Sequence, residues 1–258
     1  MKGPEYSLIT EAPGMKATRE QMERLYHRYR FALDFAAGED VLEVACGTGI
    51  GLGLLAETAR RVAGGDVDAK NLSVARRLYE GESVELREID AHDLPFGDGS
   101  FDLIVLFEAI YYLGRPERFV REAGRVLRDG GRLIVGTVNR DWKDFHPSPF
   151  AERYYSVPEL RSLLEADFKK VEFYGAFPVR NGGVRDGLVS VLKRAAVSFD
   201  LIPGSLKARA YLKRLFFGPL IAIPERLRTG MADYAPPIPI DGGSATASFK
   251  ILYAVAEK

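Results

Sequence analysis

The chain has 258 residues, which is enough for one full domain core or for a domain with a large insertion. Its 36 acidic and 36 basic side chains balance, so no overall charge directs it toward nucleic acid. The single cysteine, Cys46, cannot form an internal disulfide, and no stretch has the character of a membrane span or of a secretory leader. We therefore expect a cytoplasmic protein.

The N-terminal segment combines an irregular arm with a predicted helix. Residues 1–14 contain two prolines and two glycines, and the helix is predicted from Glu20 to Ala36. Leu25, Tyr29 and Ala32 recur on one side of it at helical spacing. Two roles fit the aromatic residues of this helix: packing on a sheet, and contact with a ligand.

A glycine-rich bend at residues 45–49, here called the glycine bend, joins a β-favouring run to a helical pattern. Gly47 and Gly49 have no Cβ, so the backbone can adopt positive φ angles and a ligand can come close. The amides that open the following helix point toward a ligand bound at this bend, with the positive end of the helix dipole behind them. A dinucleotide fingerprint starting at Gly47 requires glycine or alanine where Leu52 stands, which disfavours an NADH-dependent oxidoreductase.

An acid precedes the glycine bend. Glu43 stands on an otherwise apolar strand, where it would repel a pyrophosphate but could meet an ammonium or a sulfonium. The stretch Glu-Val-Ala-Cys-Gly-Thr-Gly resembles the first motif of class I S-adenosylmethionine-dependent methyltransferases, which is usually Asp/Glu-x-Gly-x-Gly-x-Gly. Ala45 departs from that pattern at its first glycine. The resemblance implies that S-adenosylmethionine is the cofactor, with its methionine end held by Glu43, Ala45, Gly47, Gly49 and, from the N-terminal helix, Tyr29.

A second strand is predicted from Arg61 to Asp66, followed by a helix that Asp68 would cap. A carboxylate that closes such a strand can accept hydrogen bonds from both hydroxyls of a ribose. Asp66 is therefore the ribose candidate, and Val67 would lie against the adenine face. The alternative for Asp66 is a solvated acid in a turn.

The third predicted strand, Val84 to Ile89, ends in Asp-Ala-His-Asp-Leu-Pro-Phe, and Ser-Phe-Asp follows shortly after. This double stretch also resembles the methyltransferase family. The resemblance implies that Asp90 bonds the exocyclic amine of adenine and that the amide of Ala91 bonds a ring nitrogen. For His92 the alternative is an exposed loop residue.

The fourth predicted strand, Phe101 to Phe107, is apolar and should lie in the centre of a doubly wound sheet. It delivers Phe107, Glu108, Tyr111 and Tyr112 to the carboxyl edge, where ligands bind in such sheets. Phe107 would border the methyl-transfer site.

A hydroxyl acceptor usually needs a general base. His146, in a loop over residues 139–155, is preferred for its intrinsic pKa, and Glu108 and Tyr111 are the next candidates, followed by Asp141 and His27. A structural histidine between Phe145 and Pro147 is the alternative for His146. The three histidines are scattered, and no metal site is predicted.

A further helix is predicted from Pro158 to Ala166, and the last two strands from Lys170 to Tyr174 and from Phe249 to Ala256. The long stretch between these strands predicts an inserted lid subdomain. Residues 180–230 hold ten basic and three acidic residues, and a predicted helix at Ser205–Gly218 has a basic face. That face either lies in solvent or meets an anionic membrane or a phosphorylated acceptor.

The sequence thus predicts an α/β protein with a doubly wound, Rossmann-like sheet of seven strands. Its predicted parts are an arm and cap helix (1–37), a cofactor-binding core (38–175), an inserted lid (176–247) and the last core strand (248–258). The predicted activity is methyl transfer to an oxygen or nitrogen of a small-molecule or saccharide acceptor, which the basic insertion suggests is anionic. A protein N-methyltransferase and a non-catalytic S-adenosylmethionine-binding protein are the alternatives.

Overall fold

The computed structural model describes residues 11–179 and 219–258, and these form a mixed main sheet covered by helices on both faces and a separate two-stranded sheet. The predicted basic helix Ser205–Gly218 lies outside the described residues. The strands are β1 Lys16–Ala17, β2 Asp40–Val44, β3 Arg61–Asp66, β4 Val84–Glu88, β5 Phe101–Phe107, β6 Leu127–Val138, β7 Lys170–Pro178, β8 Ile221–Ala222, β9 Ile238–Ile240 and β10 Phe249–Glu257. The helices are α1 Arg19–Ala36, α2 Leu52–Ala56, α3 Ala69–Leu78, α4 Pro116–Val126 and α5 Val157–Leu164.

The main sheet has the strand order β4-β3-β2-β5-β6-β10-β7-β9. Strands β2 to β6 pair in parallel, whereas β10 runs antiparallel to both β6 and β7. The doubly wound class is confirmed, but the described sheet has eight strands and not seven. The additional strand is β9, from the predicted insertion, which pairs with the outer edge of β7. Residues 173–175 of β7 make this pairing, on the edge that β10 does not occupy. Strand β7 itself continues to Pro178, beyond the predicted end at Tyr174.

Each face of the sheet has its own apolar core. Helix α1 and the start of α2 bury Leu25 and Leu52 on one face. Helices α4 and α5 bury Phe119 and Leu160 on the other. Helices α1 and α5 begin at cap residues that the sequence contains. Thr18 and Ser156 are the N-caps, and Gln21 and Glu159 complete the two capping boxes. This packing holds the carboxyl ends of the parallel strands in fixed positions.

The described part of the insertion lies against α1 and the glycine bend. Strand β8 pairs with β1, and the Leu227 amide donates to the Ile50 carbonyl at 2.9 Å. A histidine on α1, His27, is 2.8 Å from the carbonyl oxygen of Ala235 through Nε2. Among the helices of the described ranges, none has both the length and the apolar character needed to cross a bilayer.

Candidate functional site

A cavity of about 600 Å³ opens at the carboxyl ends of β2, β3 and β5. Neighbouring connections leave the sheet on opposite sides at such a place, which makes it the usual ligand site of a doubly wound fold. Most of the residues singled out from the sequence line this cavity: Tyr29, Glu43, Ala45, Gly47, Asp66, Val67, Asp90, Ala91, Phe107, Glu108 and Tyr111. Segments far apart in the chain thus contribute to one site.

The glycine bend has the backbone that its sequence predicts. Ala45, Gly47 and Gly49 have φ angles of 58°, 57° and 73°, all in the left-handed region. Glycine adopts that region freely, whereas alanine is strained in it. The strain at Ala45 explains why the family motif has glycine at this position.

Asp66 connects the glycine bend to α3. Its Oδ2 accepts a hydrogen bond from the Gly47 amide at 2.8 Å, and its Oδ1 accepts one from the Asp68 amide at 2.8 Å. Burial raises the pKa of Asp66 above its ordinary value, although these amides act against the shift. Oδ1 also accepts from Asn71 Nδ2 at 3.4 Å, but Oδ2 can accept a second hydrogen bond, so Asp66 can still serve a ribose hydroxyl from the cavity side.

Glu43 is the most enclosed acid of the cavity, with 1% of its surface exposed. Its Oε1 accepts a hydrogen bond from the Tyr29 hydroxyl at 2.6 Å, whereas its buried Oε2 has no hydrogen-bond partner among the described residues. Burial raises the pKa of Glu43 to about 8, although the bond from Tyr29 and the charge of Arg28 oppose that rise. A buried oxygen without a partner is unfavourable and indicates a site that a ligand donor completes.

The Tyr29 ring fits closely between the turn and the sheet. It lies edge-on to Phe107, with ring centroids 5.2 Å apart. A Cβ on Gly51 would come within 2.0 Å of the ring, so glycine is required there for Tyr29 to reach Glu43. This function of Gly51 has no signature in the sequence, because the contact is between α1 and a turn 22 positions later in the numbering.

Asp90 lies on the more open side of the cavity, with 59% of its side chain exposed. Its Oδ1 accepts a hydrogen bond from the His92 amide at 2.8 Å and lies 2.7 Å from His92 Nδ1. Burial acts to raise the pKa of Asp90, but the bonds from His92 outweigh it and hold the pKa below its ordinary value. His92 therefore orients Asp90, in a partly buried position that also lines the cavity.

Glu108 occupies the other end of the cavity, directly after β5. Its φ is 52°, a strained value for a residue with a side chain, and such strain is concentrated at functional sites. The Tyr111 hydroxyl donates to Glu108 Oε2 at 2.9 Å. Burial raises the pKa of Glu108, whereas Arg28 and Tyr111 oppose the rise.

The structure does not bring every candidate to the cavity. His146 is exposed, with Nδ1 2.8 Å from the Asp144 carbonyl oxygen, and it is not among the lining residues. His27 is buried between the Tyr253 hydroxyl, at 2.9 Å, and Ala235, so its role is structural. Gly49 faces α3 and not the cavity, because a Cβ there would lie 3.1 Å from the Ala75 Cβ.

Several lining residues were not identified from the sequence. Glu11, Arg24 and Glu152 line the cavity, and they come from the N-terminal arm, α1 and the loop after β6. Arg24 and Arg28 are one helical turn apart on α1, which is a signal that the sequence does contain. Trp142 is not a lining residue, but the Arg24 guanidinium lies 5.6 Å from its ring centroid.

The sequence of the chain is similar to those of known methyltransferases. Residues 42–135 match a family model described as a methyltransferase domain. A "probable S-adenosylmethionine-dependent methyltransferase" of Mycolicibacterium smegmatis is 38% identical over 174 residues, which are 62% of this chain and 64% of the relative. A protein of Mycobacterium tuberculosis with the same description is 40% identical over 143 residues, 54% of this chain and 52% of the relative. The chain thus spans between half and two thirds of the length of these relatives.

The fold is similar to that of solved structures as well. A crystal structure described as a "SAM-dependent methyltransferase, possible histamine N-methyltransferase" from Thermotoga maritima has a TM-score of 0.56, covering 93% of this chain and 95% of that chain at 18% identity. At that identity the likeness concerns the fold alone, and it confirms the predicted fold class.

Proposed function

We propose that this chain, whose residues 42–135 match a methyltransferase domain, transfers a methyl group from S-adenosylmethionine to an oxygen or nitrogen of a small-molecule or saccharide acceptor. One observation carries the proposal: a single cavity contains the glycine bend with Glu43, Asp66 and Asp90 at one end and Glu108 with Tyr111 at the other. The first end suits the donor, and the second suits an acceptor that must lose a proton.

The residues present fit the donor. Glu43 offers a buried oxygen without a partner to a positively charged group, Asp66 can accept ribose hydroxyls, and Asp90 can accept from the adenine amine. When bound, the sulfonium supplies a methyl group that is electrophilic without further activation. The protein therefore has to position the acceptor, exclude water and receive a proton.

The acceptor end has the groups for these tasks. Phe107 and Tyr29 form an apolar wall beside Glu108. The raised pKa of Glu108 brings this base closer to neutrality, and the Tyr111 hydroxyl holds one of its carboxylate oxygens. The proton of an acceptor hydroxyl or ammonium would pass to Glu108. We infer that Glu108 is the base and that Tyr111 positions it.

An anionic acceptor is favoured by Arg24. This residue lines the cavity, and it shares the Glu20 carboxylate with Lys250, so two cations have one acid between them. The guanidinium of Arg24 could therefore pair with a phosphate or carboxylate of the acceptor. A cavity of about 600 Å³ is typical of small-molecule ligands, which makes a folded protein substrate the less favoured alternative.

Calorimetry with S-adenosylhomocysteine, followed by transfer of an isotope-labelled methyl group to fractionated small-molecule and saccharide pools, tests the proposal. We expect tight binding of the nucleoside and label in a small anionic product. Tight binding without label in any pool, peptides included, would support a non-catalytic cofactor-binding protein. Absence of nucleoside binding would exclude the methyltransferase assignment.

A further inference from the structure

An ion pair closes one side of the cavity. The Arg28 guanidinium contacts the Glu11 carboxylate through Nη2, and both residues line the cavity. The Arg28 side chain is 12% exposed and the Glu11 side chain is 36% exposed. A guanidinium that is so enclosed needs a carboxylate partner at all times, whereas Glu11 can turn into water at little cost.

The surroundings of Arg28 suit one particular chemical group. The neighbouring residue on α1, Tyr29, holds one oxygen of Glu43, and the other oxygen of Glu43 has no hydrogen-bond partner among the described residues. An enclosed cation and an unsatisfied acid thus lie at the same end of the cavity. A free α-amino acid group has the complementary pair of charges, a carboxylate for the cation and an ammonium for the acid.

The backbone of the arm is anchored, so the side chain of Glu11 is the part that has to move. The arm is attached to the glycine bend by the Thr48 hydroxyl, which donates to the Glu11 carbonyl at 3.1 Å. It is attached to β8 by the pairing of β1 and by hydrogen bonds of Gly14 and Met15 with Ile223, both at 2.8 Å. The ion pair with Arg28 holds the Glu11 side chain over the cavity.

We propose that Arg28 binds the α-carboxylate of the donor's methionine portion, and that Glu11 occupies Arg28 as a stand-in carboxylate until the donor replaces it. The inference rests on the function proposed above, and it assigns a residue and an exchange to the donor end. The exchange replaces one carboxylate by another, so the buried guanidinium stays paired throughout. Glu11 is therefore an internal competitor of the donor.

Two nucleosides separate this inference from the proposed function. S-Adenosylhomocysteine has the amino acid group, whereas 5′-methylthioadenosine has the same adenosine and thioether without it. Affinities for both are measured by calorimetry for the full chain and for Arg28→Gln, Glu11→Gln and Arg30→Gln. Arg30 is a matched control, because it lies on the same helix and pairs with Asp34 away from the cavity.

We expect Arg28→Gln to weaken S-adenosylhomocysteine binding about 10- to 100-fold, the scale of a lost charge-assisted contact, with little change for methylthioadenosine. Unchanged methylthioadenosine affinity also shows that the variant is folded. Glu11→Gln should strengthen S-adenosylhomocysteine binding and leave methylthioadenosine binding unchanged. Arg30→Gln should alter neither affinity.

Other outcomes would overturn the inference. Equal weakening of both nucleosides by Arg28→Gln would make Arg28 a structural residue. If Arg28→Gln left the affinity for S-adenosylhomocysteine unchanged, the charge of Arg28 would serve the acceptor and not the donor. Weaker binding by Glu11→Gln would make Glu11 a ligand contact and not a competitor. If the unmodified chain bound neither nucleoside, the proposed function itself would fail, and this inference with it.

Discussion

The two ends of the cavity are built in different ways. At the donor end, Asp66 and Asp90 follow successive parallel strands and are oriented by residues two positions later, Asp68 and His92. At the acceptor end, Arg24 shares the Glu20 carboxylate with Lys250, which lies 230 positions after Glu20 in the chain. The nucleoside-binding part of the donor end is therefore encoded in short continuous segments, whereas the basic side chains of the acceptor end come together only after distant parts of the chain have packed.

Glu108 gives the largest expected effect, and it tests whether the acceptor end performs chemistry at all. Glu108→Gln preserves the shape of the side chain and removes the base, so the methyl-transfer rate should fall about 100- to 10,000-fold. In the unmodified enzyme, the rate should rise with pH as Glu108 loses its proton. Because the pKa of Glu108 is raised, that rise should lie above the ordinary glutamate value of 4.5. Rates are measured with saturating donor across the pH range.

The matched control is Glu152→Gln, a second glutamate that lines the same cavity. It should reduce the rate far less than Glu108→Gln, and binding of S-adenosylhomocysteine should be unchanged in both variants. A rate unaffected by Glu108→Gln would remove the distinction between the two ends, because the acceptor end would then be only a binding surface.

The difference between local and long-range contacts also explains how much of the fold and of the site could be predicted from the sequence. The strands and most helices follow from apolar periodicity and cap residues, and the donor residues follow from motifs of fewer than ten residues, as with Glu43 and Gly47. His146 was preferred as the base for its intrinsic pKa, but its loop holds it in solvent, outside the lining of the cavity. No local pattern shows that Glu11 pairs with Arg28 or that Gly51 makes room for Tyr29. These relations depend on how α1 packs across the sheet.

At the donor end, Glu43 should make the stability of the protein depend on pH. Its pKa is about 8 in the folded chain, against an ordinary value of 4.5, so the folded state binds more protons than the unfolded state between those pH values. Stability without ligand should therefore fall as pH rises from about 4.5 to 8. Glu43→Gln has no proton to lose, so it should reduce this decline, by an amount on the order of a few kcal/mol.

Chemical denaturation at a series of pH values measures the effect. Asp66 and Glu108 also have raised pKa values, so part of the decline should persist in Glu43→Gln. Saturating S-adenosylhomocysteine should flatten the profile of the unmodified chain, because its ammonium would stabilise ionised Glu43. An identical pH profile for the variant and the unmodified chain would contradict the burial of an unsatisfied acid at the donor end.

Asp66 tests whether a locally encoded residue suffices for donor affinity. Asp66→Ala removes hydrogen-bond acceptors for the ribose and for the Gly47 amide, so S-adenosylhomocysteine binding should weaken by about 1–3 kcal/mol. Asp68→Ala is the control, since Asp68 accepts from the Lys70 amide as a helix cap and does not line the cavity. It should lower stability slightly and leave affinity nearly unchanged. Unchanged affinity in Asp66→Ala would mean that the ribose lies elsewhere.

The smallest effect is expected at Ala45, where the sequence departs from the family motif. With φ at 58°, Ala45→Gly relieves the strain of a left-handed alanine in the folded state, but it also gives the unfolded chain more conformational freedom. The first effect is the larger one, so the free energy of unfolding should rise by about 1 kcal/mol. Ala63→Gly, in strand β3, is the control and should be destabilising, because a buried strand residue gains nothing from such freedom. Both are measured by denaturant unfolding. If Ala45→Gly also proved destabilising, the methyl group of Ala45 would contribute packing that outweighs its backbone strain, and the donor end would depend on tertiary contacts just as the acceptor end does.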